Sequence, residues 1–302
     1  MFALWIPITI AAAFLQNLRS ALQKAIKGRL STTGAAYVRF FYAWPFALLY
    51  LWALTGVGGN ELPVWNNTFL IYCALGGLSQ ILFTVVLLWM FSFRSFAVGT
   101  TFSKLEVILI AAMGAVLLGD TVGPLAILAI AIGSVGTVLL SFTETKLTPA
   151  GLIRGLKEKA TWIGLLSAAF LGASVVFFRG AALTLNHDNF VVSAAYTLAV
   201  SLVMQTLMMG AWFVFFDRAE LRKVVVEWRN ALPIGLVGMA TSVCWFTAFT
   251  LQNAAYVRAL GQIELLFTFI ATVFFFHEKV RKNEVVGIIF IVLAILLILL
   301  AS

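Results

Sequence analysis

Seven ionisable residues interrupt long apolar runs in this 302-residue chain: Arg19, Arg39, Lys104, Glu106, Arg179, Arg258 and Glu264. A charge inside an apolar helix is costly, and it normally faces a partner or a water-filled cavity. Five of the seven are cations and two are anions, an excess of +3. Arg and Lys bind carboxylates and phosphates through charge-assisted hydrogen bonds. The excess therefore points to an amino acid, an organic acid or a phosphorylated metabolite. Lys104, Glu106 and Glu264 sit in the middle of their runs. Arg19, Arg39, Arg179 and Arg258 lie towards the ends, where snorkelling to headgroups or structural pairing is the competing use. The candidate binding set is Lys104, Glu106, Arg258, Gln262, Glu264, Arg19 and Arg179. Trp89 and Trp245 join it as rings that could stack on a ligand or simply pack against a neighbour. No catalytic residue, metal ligand or cofactor is expected. The lone thiols Cys73 and Cys244 fit small apolar packing positions.

At 100° per residue, Gly99, Ser103 and Glu106 share one helix face, and Thr100 and Lys104 share another about 160° away. The corresponding sets further on are Val257, Gly261, Glu264 and Thr268, and Arg258 with Gln262. Both helices then need polar surroundings on two sides, which makes them inner helices. If either Glu has no close cation, its carboxyl could carry a proton, which leaves proton coupling open.

The elements that must position these residues follow from composition. The chain is 62% hydrophobic and only 11% charged, against about 25% charged in soluble proteins. Its mean hydropathy is +1.04. That excludes a soluble enzyme, a disulfide-stapled secreted domain and a disordered tail. Ten apolar runs of roughly the 20 residues a helical span requires cover 3–24, 33–55, 68–91, 96–118, 122–142, 161–184, 189–215, 231–252, 255–276 and 283–301. The tightest hairpins fall at 92–95 and 119–121. Runs apolar all round, such as 285–300, do not fit the alternating strands of a barrel. The first run has no basic residue before it and no small-residue cleavage site after it, so it reads as a retained helix. The fold class is all-α integral membrane.

Fifteen of the 20 basic residues lie in loops after odd-numbered spans, and none lies in the other loops or at the termini. By the positive-inside rule both termini then lie outside and 143–160 and 216–230 face the cytoplasm. Basic loops also explain the net charge of +8 without a nucleic-acid partner. Trp5, Trp65, Trp162 and Trp228 stand at span ends, where interfacial anchoring is expected. Pro7 and Pro45 are candidate kinks. Ala129, Gly133, Thr137 and Ser141 form a small-residue stripe suited to close packing in span 5; spans 5 and 10 read as peripheral.

The chain also matches itself. Lys104-Leu105-Glu106 aligns with Gln262-Ile263-Glu264 at a separation of 158, Gly119-Asp120 with His277-Glu278, Phe91 with Phe249 and Ala97 with Ala255. Residues 12–15 recur as 168–171. This predicts a five-span repeat at 1–143, a basic linker at 144–160 and a second repeat at 161–302. An odd number of spans inverts the second copy, the architecture of secondary transporters.

Leu105-Glu106, Ala111-Ala112 and 117–120 resemble the fourth-span pattern of the drug/metabolite transporter superfamily in its EamA-type branch, and 263–278 resembles a second copy. Where that pattern commonly has Pro after the Glu, this chain has Val107 and Leu265. The resemblance implies a ten-helix carrier of small organic molecules, often amino acids or related metabolites, with no cofactor. Many relatives have a cytoplasmic N-terminus, so direction stays open.

Three functions compete. A secondary transporter in a bacterial inner membrane is favoured, with a small-molecule substrate and membrane lipid as partners; a homodimer is left open. A flippase for a lipid-linked substrate would use Arg19 and Arg39 near one leaflet. A membrane-embedded enzyme has only His187-Asp188, which turn chemistry beside Asn186 and Asn189 explains. No nucleotide motif is present.

Overall fold

A computed structural model describes residues 3–26, 29–90, 102–145, 157–274 and 282–302. The expected hairpin at 92–95, Gly99, Thr100, Phe91, Ala97, His277 and Glu278 lie outside the described residues. The described chain is helical, with no strand. The helices are α1 (Trp5–Ile26), α2 (Thr32–Phe41), α3 (Trp44–Trp52), α4 (Asn67–Met90), α5 (Glu106–Leu118), α6 (Pro124–Thr145), α7 (Lys159–Thr184), α8 (Phe190–Phe216), α9 (Arg218–Val226), α10 (Trp228–Leu251), α11 (Ala254–Gly261), α12 (Ile263–Phe274) and α13 (Lys282–Ala301). A π-helical turn, Ala53–Val57, continues α3.

Among the described residues six segments are long and apolar enough to cross a membrane: Thr32–Val57, Asn67–Leu87, Lys159–Thr184, Phe190–Phe216, Trp228–Leu251 and Asn283–Ala301. Glu106–Leu118 and Pro124–Leu140 are shorter apolar helices. α1 is as long as a span but carries Gln16, Asn17, Arg19 and Gln23 in its second half, and is not among the six. Large apolar side chains such as Val116, Phe215, Phe216 and Leu300 point outward, as expected where lipid rather than water is the solvent.

The described chain divides into two compact units that each draw on both halves of the sequence. The first contains 1–81 and 177–252; the second contains 82–176 and 253–302. In the first, α1 packs along α10, and α8 packs on α2, α3 and α10. Its core gathers Tyr37, Val38, Phe40, Leu198, Phe213 and Ile234. The Tyr37 hydroxyl donates to Thr206 O at 3.1 Å and the Tyr42 hydroxyl to Val224 O at 2.9 Å, so the buried Tyr37 phenol and the half-buried Tyr42 phenol each have a partner. Span 2 is interrupted at Tyr42–Ala43, with Pro45 at the start of α3, where its missing N–H costs no helical bond.

In the second unit α6 and α13 pack along their lengths. A Cβ on Gly136 would stand 2.8 Å from Gly287 O, and one on Gly287 3.0 Å from Gly136 O. Two facing glycines let these backbones approach closely. α5 ends at Gly119, whose φ of 69° gives the left-handed cap expected of the predicted hairpin. Asn253 caps α11 by accepting from Ala255 N at 2.9 Å.

Candidate functional site

The second unit has a cavity lined by Lys104, Glu106, Val107, Thr137, Arg258, Gly261, Gln262, Glu264 and Leu265. It exists because two helices are broken. The first break is a turn at Lys104–Leu105 just before α5. The second is at Gln262, between α11 and α12. These are the positions that the sequence self-match aligns. A break exposes the unsatisfied N–H groups of the following helix and the carbonyls of the preceding one. Their partial charges favour a carboxylate at the new N-terminus and a cation at the new C-terminus. Glu106 and Glu264 occupy first turns, and Arg258 a last turn.

Arg258 donates to the Glu106 carboxylate, with the two side chains only 12% and 14% exposed. Glu264 also acts electrostatically on Arg258. Lys104, Glu106, Arg258 and Glu264 thus form a cluster of two cations and two anions. The expected separation of Lys104 and Glu106 onto opposed faces does not hold, because it assumed one continuous helix. The turn at 104–105 resets the angular phase, and both residues line one cavity. Glu106 does have a close cation, Arg258. Thr137 of α6 lines this cavity too, so span 5 is more than the peripheral packing helix expected.

The first unit has a second cavity, lined by Arg19, Arg39, Phe40, Gln80, Leu198, Leu202, Gln205, Gly238, Ser242 and Phe246. Arg19 comes from α1, Arg39 from the last turn of α2, Gln80 from α4, Gln205 from α8 and Ser242 from α10. The Arg39 guanidinium lies 4.7 Å over the Phe40 ring, a cation–π contact. Gln205 donates to Gln80 at 2.7 Å. Among the described residues that line it there is no carboxylate. Sequence reading included Arg19 in the candidate set but left out Arg39, Gln80 and Gln205; nothing in the spacing of four separate spans shows that they meet.

Three further candidates lie elsewhere. Arg179 donates to the Phe249 and Gln252 carbonyls, the latter at 2.6 Å, and so caps the C-terminal end of α10. Trp245 is buried, donates to Gln16 Oε1 at 2.9 Å and stacks on Phe249 with ring centroids 5.5 Å apart. Trp89 is 55% exposed on α4. Neither cavity is lined by any of the three. His187 lies within a turn: its Nε2 is 3.1 Å from Glu61 O, and its Nδ1 accepts from Asn189 N at 3.1 Å. Among the described residues no group of three or more His, Cys, Asp or Glu could hold a metal ion.

Long apolar helices with buried charge clusters define an integral, multi-pass membrane protein. Residues 158–300 match the EamA-like transporter family, which supports membership of the drug/metabolite transporter superfamily. A solved crystal structure of a protein shares the fold with a TM-score of 0.74, at 16% identity, covering 100% of this chain and 99% of the other. No curated protein matches the chain.

Proposed function

We propose that the protein is a secondary transporter that moves a small organic metabolite bearing a carboxylate or phosphate by alternating access. Ten spans in two inverted five-span repeats carry it, with both termini outside and substrate reaching the broken helices. The observation that supports this reading most is the pair of repeat-related helix breaks, at Lys104–Leu105 and at Gln262. Discontinuous helices whose free ends face ionisable groups are the binding elements of many secondary carriers. Lys104, Arg258 and Gln262 supply donors there, and Glu106 and Glu264 supply acceptors. A substrate carboxylate would compete with Glu106 for Arg258, and a substrate amine would compete with Arg258 for a carboxylate. Exchange of partners in such a neutral cluster would couple substrate entry to rearrangement of the two breaks.

Proteoliposomes containing the purified chain test this. Labelled amino acids and organic acids should enter faster than into empty vesicles, with saturation, and Arg258→Gln should abolish the uptake of at least one. Absence of any solute flux, together with movement of a labelled phospholipid between leaflets, would replace the reading by a flippase.

A further inference from the structure

Helix α9 is held to the first unit by one face. Glu220 and Val224, four residues apart, are buried. Val224 belongs to the core that contains Tyr37 and Phe213, and Leu221 packs against that core. The Tyr42 hydroxyl donates to Val224 O. With this face fixed, Arg218, Arg222, Lys223, Val225 and Val226 are turned outward. Val225 and Val226 follow Arg222 by three and four residues, so they flank it on the outer surface. The helix is nine residues long, about 13 Å, and it joins α8 to α10, two segments long and apolar enough to cross a membrane. A single residue links it to each. Asp217 ends α8 and caps α9 by accepting from Glu220 N at 3.1 Å, and Glu227 leads into α10. A helix tied between the ends of two spans lies where hydrocarbon gives way to headgroups. The side chains around it suit that zone: Phe215 and Phe216 at the end of α8 are 77% and 75% exposed, and Trp228 at the start of α10 is 49% exposed.

The acids of this segment are already engaged. Glu220 takes Lys223 at 3.4 Å and Glu227 takes Arg29 at 3.4 Å, while Asp217 serves as the cap. Arg218, Arg222 and Arg229 enter no ion pair among the described residues. Arg218 Nε donates to Val214 O at 2.6 Å, which fixes Arg218 beside the end of α8. The Arg229 guanidinium lies 5.4 Å over the Trp228 ring. We infer that the outer face of α9, with Phe215, Phe216 and Trp228 at its ends, binds anionic phospholipid of the membrane that the protein spans. Both parts of such a lipid are matched. Arginines engage its phosphate through paired N–H donors. The exposed rings and valines meet the boundary between glycerol and acyl chain, as on interfacial amphipathic helices. A zwitterionic lipid brings no net charge to offset three arginines. An acidic soluble segment would fit the arginines alone, and the rings beside them favour lipid. The inference rests on the protein spanning a membrane and is independent of what the protein carries.

The test uses the purified full chain in vesicles of phosphatidylcholine and phosphatidylglycerol, with brominated acyl chains on one lipid or the other. Bromine quenches a nearby indole, so tryptophan fluorescence reports which lipid stands against the protein. Brominated phosphatidylglycerol should quench more than its share of the bilayer allows, and the excess should shrink as salt rises. Trp228→Phe should remove the larger part of that excess, which ties it to this surface among nine tryptophans. Each arginine at an anionic surface gives roughly a fivefold preference. Arg222→Gln should lower the preference by about that factor, and the Arg218→Gln, Arg222→Gln, Arg229→Gln triple variant should abolish it. The corresponding triple Lys variant should keep most of it. Arg222→Gln with Arg229→Gln spares the Arg218 bond to Val214 O, and should still lose roughly 25-fold. Quenching by brominated phosphatidylcholine should stay unchanged in each variant, which checks that the chain remains folded and inserted. Absence of excess quenching by phosphatidylglycerol, or an excess unchanged in the Gln variants, would overturn the inference. An excess that Trp228→Phe leaves intact would place the lipid away from α9 and overturn it too. Solute flux decides the transporter reading and bears on none of these outcomes.

Discussion

Arg258, in the last turn of α11, donates to the carboxylate of Glu106, in the first turn of α5, across 152 residues of sequence. Each residue is placed by a helix end whose dipole favours its charge. Removing one partner of a buried pair leaves an uncompensated charge and typically costs about 3–5 kcal/mol. Glu106→Gln and Arg258→Gln should each destabilise the protein on that order, and the double variant should recover much of the loss. Glu264, which also acts on Arg258, should make Glu106→Gln the milder of the two. A double-mutant cycle from thermal unfolding in detergent measures this; additive losses would show that the pair is not coupled.

Arg179 yields a prediction of the opposite kind. Its guanidinium donates to Phe249 and Gln252 carbonyls at the end of α10. Hydrogen bonds from a charged donor each contribute about 1.5–3 kcal/mol. Arg179→Gln should lower stability by about that amount, and Arg179→Lys by less. Substrate affinity should stay the same, because the side chain lies outside both cavities. A lower affinity with unchanged stability would return Arg179 to the binding set.

How much of this was legible in the sequence differs from residue to residue. Helix positions follow from apolar run length alone, so α8 and α10 fall within three residues of their expected bounds. Glu106, Lys104, Arg258 and Glu264 were legible as a group because charge is conspicuous in an apolar run, and Gln262 because it aligns with Lys104 in the self-match. The aromatic ring of Trp245 was visible, but its partner Gln16 was not, since the two are 229 residues apart. Helical phase across Lys104–Leu105 was not legible either. A wheel assumes 100° per residue throughout, and Leu105 at ψ 13° departs from the helix. The meeting of Arg19 and Arg39 depends on the packing of α1, α2, α4, α8 and α10, which no local pattern encodes.

The crossing of α6 and α13 is sharply constrained. A methyl group at Gly136 would lie 2.8 Å from both Gly287 O and Phe290 Cβ. Backbone cannot yield as a flexible side-chain tip can, so the helices would have to separate. Overpacking of this kind costs typically about 1–3 kcal/mol. Gly136→Ala should lower the unfolding temperature measurably. Gly59→Asn is the control: nothing lies within 4 Å of its Cβ, and Asn tolerates its φ of 67°. Equal effects of the two substitutions would exclude close packing at Gly136 as the cause.

Outside the membrane spans, Glu220 on α9 ties that short helix to the start of α2. Its side chain is 4% exposed and accepts from Ser31 N, and Lys223 Nζ stands 3.4 Å from its other oxygen. Burial pushes the carboxyl pKa up, but hydrogen bonds from Ser31 and from Lys223, with the charge of Lys223, outweigh it and leave the value lowered. A carboxylate with a lowered folded-state pKa binds fewer protons folded than unfolded at pH near 4. Its contribution to stability is therefore complete above the unfolded value of about 4.3 and fades as pH falls through the folded value. Glu220→Gln should be less stable than the unaltered protein at pH 7, by about 1–3 kcal/mol for a lost charge-assisted bond in a buried position. The difference should hold from pH 7 to 5 and shrink below about pH 4. Parallel unfolding curves across that range measure it. A gap that widens on acidification would mean that Glu220 is protonated in the folded state, and that the tie to Ser31 is a neutral hydrogen bond.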